Sequence, residues 1–104
     1  MAVTVMIRRT FTRKEKAAPL APLIVQLRSL AAVQPGYITG QTFHCLDAPG
    51  EYLVMRTWAS AEDWHRWRTS ETRMKIQQQI DDLLGEPTTY LLYEPLVGGI
   101  IPKV

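Results

Sequence analysis

The sequence predicts an α+β fold of ferredoxin-like type, ordered strand, helix, strand, strand, helix, strand, with four antiparallel strands in one sheet. Three observations carry this. Short segments alternate apolar and polar residues, longer ones repeat apolar residues every three or four positions, and proline and glycine stand between them. The length of 104 residues with 46% hydrophobic side chains suits one core and is short for two. A domain of this size buries roughly two-thirds of the surface its unfolded chain exposes, so a large internal cavity is costly unless a second subunit adds burial.

The first strand is read over Val3 to Thr10, where Val3, Val5 and Ile7 share one face and Thr4, Met6, Arg8 and Thr10 the other. A helix follows from Lys16 to Val33, with Leu20, Leu23, Ile24, Leu27, Leu30 and Ala31 forming its buried stripe. Pro19 and Pro22 are assigned to its start, where a missing N–H costs least, and Gln34-Pro35-Gly36 ends it. Tyr37 to Cys45 and Tyr52 to Trp58 are rich in aromatic and β-branched residues and are expected to pair as a hairpin across the Leu46 to Glu51 turn. Ser60 followed by Asp63 is a loosened capping box for the second helix, and Ser70-Glu71 offers a second cap, so that helix is expected to break near Thr69. Gly85-Glu86-Pro87 stops it, and Thr88 to Glu94 is the last strand, closed by Pro95. Residues 1–96 form the predicted domain. The remaining tail, Val97 to Val104, is apolar and is expected to fray or to pack on another subunit.

The charge balance, twelve Lys and Arg against ten Asp and Glu, makes nucleic acid an unexpected partner. The basic residues Arg8, Arg9, Arg13, Lys14 and Lys16 read as a strand end and the solvated start of a helix. A single Cys45 excludes an internal disulfide and any zinc pattern with two or more thiolates, which points to a reducing cytoplasm. The apolar N-terminus is too short for a signal sequence, and no stretch approaches the roughly 20 apolar residues of a membrane span.

Pro35 to Gly40, Glu51 to Ser60, Glu62 to Trp67 and Glu86 to Tyr90 together resemble the antibiotic biosynthesis monooxygenase family, and the likeness extends to about Leu96. The resemblance implies a dimeric α+β barrel, in which two four-stranded sheets pack face to face and each subunit keeps a pocket between its sheet and its helices. Members include cofactor-free oxygenases that turn phenolic polycycles into quinones, relatives acting on small quinols, and haem-degrading enzymes. The haem degraders carry an asparagine in the first strand and a tryptophan followed ten residues later by the histidine that ligates iron. Here those positions are Ile7 and, counted from Trp67, Gln77. Glutamine is no ordinary axial ligand for haem iron, so haem degradation is disfavoured.

The candidate site residues follow from chemistry of that cofactor-free kind. No glycine-rich nucleotide loop, paired-carboxylate arrangement or hydrolase triad is present. His44, on a strand beside Ile38, Gly40 and Thr42, is either a base for a phenolic proton or a hydrogen-bonded sheet histidine, whereas His65 is expected to face water. Arg9 and Arg56 either hold a phenolate or peroxide anion or pair with Glu51 or Glu94 at a rim. Trp58, Trp64, Trp67, Tyr90 and Tyr93 either offer a flat apolar platform or serve as core. Gln77, an amide in an apolar stripe, is satisfied by a ligand oxygen or sits at an exposed boundary.

The expected function is therefore oxidation of a small phenolic or quinol-type aromatic by dioxygen in a homodimer, with no cofactor and no metal. The alternative is a non-catalytic dimeric module that binds a small hydrophobic molecule.

Overall fold

The computed structural model describes residues 1–11, 15 and 17–96. Arg13, Lys14 and Lys16, and the Val97 to Val104 tail expected to fray or to pack on another subunit, lie outside the described residues. The chain runs β1 (Val3–Thr10), α1 (Ala17–Ala32), β2 (Tyr37–His44), β3 (Glu51–Trp58), α2 (Ala61–Arg68), α3 (Glu71–Leu84) and β4 (Thr89–Tyr93). The strands form one antiparallel sheet in the order β2-β3-β1-β4, the ferredoxin-like arrangement the sequence predicts.

Local chemistry sets the boundaries. Ser60 Oγ accepts the Asp63 N–H at 3.2 Å and Ser70 Oγ accepts the Arg73 N–H at 3.3 Å, so the second helical region is two helices, divided at Thr69 as expected. Gly85 closes α3 in the left-handed region, φ 74°, with its N–H on the Asp81 carbonyl at 2.9 Å. One expectation fails in α1. The helix begins at Ala17, so Pro22 falls beyond the first turn and has no N–H to give to the carbonyl four residues back.

Alternation in β1 and β3 gives the sheet an inner face of Val3, Val5, Ile7, Val54 and Trp58. This face packs on Leu27 and Ala31 of α1, Trp64 and Trp67 of α2, and Ile76 and Ile80 of α3. The opposite face lies open among the described residues, with Met6, Leu53 and Met55 half-buried and Phe43, Leu91 and Tyr93 exposed.

At the start of β2 the pairing slips. Tyr37 faces Trp58 and Thr39 faces Thr57, leaving Ile38 as an extra, exposed residue. This bulge turns Tyr37 to the inner face, edge-on to Trp58 with ring centroids 5.5 Å apart.

Gly36 precedes the bulge at φ 86°, and its carbonyl accepts the Ala59 N–H at 2.7 Å. A Cβ there would fall on the Asp63 side chain, 2.6 Å from its Cβ and closer to the carboxyl group. Gly36→Ala is therefore expected to lower stability by about 1–3 kcal/mol. Urea unfolding measures this, and an unchanged midpoint contradicts it.

Candidate functional site

Three arginines from different elements converge behind the sheet. Arg9 continues the inner face of β1 past Ile7, Arg56 lies between Val54 and Trp58 on β3, and Arg73 stands one turn before Gln77 on α3. They are 6%, 9% and 3% exposed. All three line a chamber of about 50 Å³ closed by Val54, Trp64 and Trp67 below and by Ile24 and Leu27 of α1 above. Through Arg9, Ile24 and Thr42 the chamber adjoins a cleft of about 350 Å³, whose walls include Phe11, Leu20, Tyr52 and Leu84. The inner chamber is too tight for an aromatic ring. The outer cleft falls within the range that small-molecule sites occupy.

A hydrogen-bond network fixes the guanidinium groups. Arg9 Nη2 and Arg73 Nη2 both donate to Gln77 Oε1, at 3.3 and 3.4 Å, and Arg73 Nη2 also donates to Tyr90 Oη at 2.8 Å. Gln77 Nε2 donates to Asp81 Oδ1 and to Thr88 Oγ1, each at 2.9 Å, while Thr88 donates to Asp81 Oδ1 from its hydroxyl at 2.7 Å. Arg56 Nη1 donates to Tyr37 Oη at 3.4 Å. Arg73 also lies over the rings of Trp64 and Tyr90, 5.4 and 5.1 Å from their centroids.

Burial pulls the Arg9 pKa down from the ordinary arginine value to about 10; Tyr90 and Asp81 oppose the shift, and Arg73 and Arg56 add to it. Arg9 is still a cation at neutral pH. Because its folded pKa lies below its unfolded one, the unfolded chain binds the extra proton from about pH 10 up to the ordinary arginine value. Holding this charge inside thus opposes folding at neutral pH, and the opposition disappears as pH rises through that window. Arg9→Met, which keeps apolar bulk, is accordingly expected to leave the melting temperature unchanged or raised at pH 7. A clear fall contradicts this.

The candidates divide by position. Arg9, Arg56, Trp64 and Trp67 meet at the inner chamber. Trp58 is 0% exposed, lines neither space, and packs 6.1 Å from Trp64 with its buried Nε1 unpartnered. Gln77 is buried rather than at a boundary, and its oxygen and nitrogen are both engaged by protein, so it orients the arginines. Tyr90 sits behind Arg73 as an acceptor, with Arg68 also over its ring at 4.6 Å. Tyr93 pairs with Thr4 and therefore lies on the open face, away from the other candidates. His44 is exposed near the outer cleft, stacked on Tyr52 at 4.9 Å, with Nε2 on the Pro49 carbonyl at 2.6 Å. A carbonyl only accepts, so Nε2 carries a proton and Nδ1 is the nitrogen able to take one. His65 is exposed, as expected.

The solvated reading of the basic stretch fails at Arg9. Glu51 pairs with Arg8 at 3.8 Å rather than with Arg9 or Arg56. Sequence reasoning missed Arg73, although its spacing of three to Ile76 and four to Gln77 puts it on the same buried stripe. It also missed Thr42, which is shared by chamber and cleft. No group of three or more His, Cys, Asp or Glu side chains able to hold a metal occurs among the described residues, and none of their helices is long and apolar enough to cross a membrane.

The family model for antibiotic biosynthesis monooxygenase matches residues 2–79, well over half of the chain. The chain belongs to this family. As an antibiotic biosynthesis monooxygenase domain it shares its fold with solved structures of low sequence identity. SnoaB from Streptomyces nogalater, described as a cofactor-independent oxygenase, aligns with a TM-score of 0.77 at 16% identity, over 91% of this chain and 93% of that one. Rv0793 from Mycobacterium tuberculosis gives 0.78 at 20% identity, over 92% and 96%. A conserved protein from Methanosarcina mazei Go1 gives 0.80 at 17% identity, over 90% and 92%. No curated protein sequence matches the chain.

Proposed function

We propose that this monooxygenase-family domain oxidises a phenolic or quinol-type aromatic with dioxygen in the cleft between α1 and the sheet, without a cofactor. The observation that carries the proposal is the cleft's form: an apolar space of about 350 Å³ ending on buried guanidinium groups. A phenol ring fits the apolar part. The cations favour its ionised form, because an opposite charge nearby lowers the pKa of an acid.

In this reading the phenolic oxygen loses its proton through solvent, with the exposed His44 Nδ1, stacked on the cleft residue Tyr52, as the acceptor beyond the cleft. The phenolate passes one electron to dioxygen, giving superoxide and an aryloxyl radical, and these combine at a ring C–H as a hydroperoxide. Cleavage of the O–O bond with loss of that ring hydrogen releases water and leaves the quinone. One oxygen atom stays on the ring and the other becomes water. Arg9 and Arg56 hold the anions that form, Trp64 and Trp67 keep bulk water from the inner end, and Gln77 and Tyr90 position Arg73 and Arg9.

Two copies are proposed to pair through their open sheet faces, where Met6, Leu53, Met55, Phe43, Leu91 and Tyr93 await cover. Sedimentation at twice the 11.9 kDa chain mass supports this, and a concentration-independent monomer overturns it.

The test is oxygen uptake by the purified protein with a panel of hydroquinones, naphthols and anthrols. One dioxygen consumed per quinone formed from a naphthol or anthrol supports the proposal. A second reading, a binding module without turnover, is favoured by one observation: among the described residues no His, Asp or Glu lines either the chamber or the cleft. Tight binding of these compounds without oxygen uptake would establish it.

A further inference from the structure

We propose that the ligand of this cleft is an aromatic carboxylate, its carboxylate seated in the chamber formed by Arg9, Arg56 and Arg73 and its ring in the apolar cleft outside. The inference rests on the cleft being the substrate site and narrows the class of molecule it takes.

Charge is the first reason. Three buried guanidinium groups, with Arg28 also on the chamber wall, face a space whose lining, among the described residues, contains no acidic side chain. Among the described residues no ion pair joins any of the three to a carboxylate, and Glu51, Asp63 and Glu71 pair instead with Arg8, Arg66 and Lys75. Their partners are instead neutral: the Gln77 amide oxygen and the Tyr37 and Tyr90 hydroxyls. Asp81, the acid behind this network, is spent on Gln77 and Thr88. Buried cations without counter-charges are rare unless a ligand supplies the charge.

Hydrogen bonding is the second. Arg9 Nε is fully buried and has no partner, so a donor remains unused at the chamber. Guanidinium groups present donors in a plane that matches the two oxygens of a carboxylate.

Shape is the third. A chamber of about 50 Å³ accepts a small planar head group, and the adjoining cleft of about 350 Å³ is walled by Phe11, Leu20, Ile24, Tyr52 and Leu84, surfaces for a ring. Gly40 makes the arrangement possible. A Cβ at that position would fall on Arg56 Nη1 and lie 2.7 Å from Tyr37 Oη.

Calorimetric titration with 1-hydroxy-2-naphthoate, its neutral amide 1-hydroxy-2-naphthamide, and inorganic phosphate tests the inference. The acid is expected to bind at least about tenfold more tightly than the amide, with affinity falling as salt rises. Arg56→Met is expected to remove that preference. Gly40→Ala, which displaces the guanidinium while keeping its charge, is expected to weaken the acid selectively, and melting curves of both variants show whether they fold. Equal binding of acid and amide, no binding of either, or phosphate binding as tightly as the acid overturns the inference. Oxygen uptake separates it from the catalytic proposal. Neutral naphthols oxidised as fast as the acid defeat the carboxylate and leave the oxygenase standing, whereas selective binding of the acid without oxygen uptake does the reverse.

Discussion

Trp58→Ala is expected to destabilise the fold by about 3–5 kcal/mol, a large share of the roughly 5–15 kcal/mol that holds a domain together. Trp58 is fully buried at the end of β3, opposite both Val3 of β1 and Tyr37 of β2. Its ring touches Tyr37 on one side and Trp64 on another, and Trp64 in turn packs 5.8 Å from Tyr90 of β4. Removing it opens a void shared by two strands and α2. Trp58→Phe is expected to cost much less, because the indole Nε1 has no partner to lose. Urea unfolding of both variants measures the difference, and an alanine variant within about 1 kcal/mol of the parent contradicts this packing.

Gln77→Leu is expected to cost about 3 kcal/mol for a different reason. The amide accepts from Arg9 and Arg73 and donates to Asp81 and Thr88, so it separates buried cations from a carboxylate and bonds to both. Leucine fills the volume but leaves these groups facing one another without their common partner. The cost is expected to fall when Arg9→Met is already present, since one buried cation then needs no acceptor. A double-mutant cycle measures that coupling, and strict additivity contradicts a shared network.

Most of the fold was legible because its signals are local. Alternation over Val3 to Thr10, the Ser60 and Ser70 caps and the Gly85 stop each depend on residues close in sequence, and the division of the second helix at Thr69 followed from them. The bulge at Ile38 was not legible. It depends on how β2 meets β3, and it alone brings Tyr37 to Arg56. Pro22 was misassigned because it is past the first turn whether the helix is counted from Lys16 or from Ala17, and spacing alone should have placed it inside.

The site was legible in part. Arg9 and Arg56 share faces with known core residues, so period two exposed them as candidates. Tyr90 and Tyr93, three apart on one strand, cannot both face inward, and that was decidable from spacing alone. The role of Gln77 was not decidable, because Arg9 lies 68 positions away and Thr88 in a loop 11 positions on. Arg73 was overlooked because a charged residue at a helix start suggests solvent, whereas here Gln77 and Tyr90 receive its protons inside.

The most direct test of the cleft as the seat of oxidation is oxygen consumption by Thr42→Trp compared with the parent, on a phenolic compound the parent oxidises. Thr42 lines both the inner chamber and the outer cleft from the exposed edge strand β2, so an indole there fills the space without removing a core contact. The expected result is a fall in kcat/KM of at least about tenfold with the melting temperature preserved. Undiminished oxygen uptake by a folded Thr42→Trp protein would contradict the placement of the reaction in this cleft.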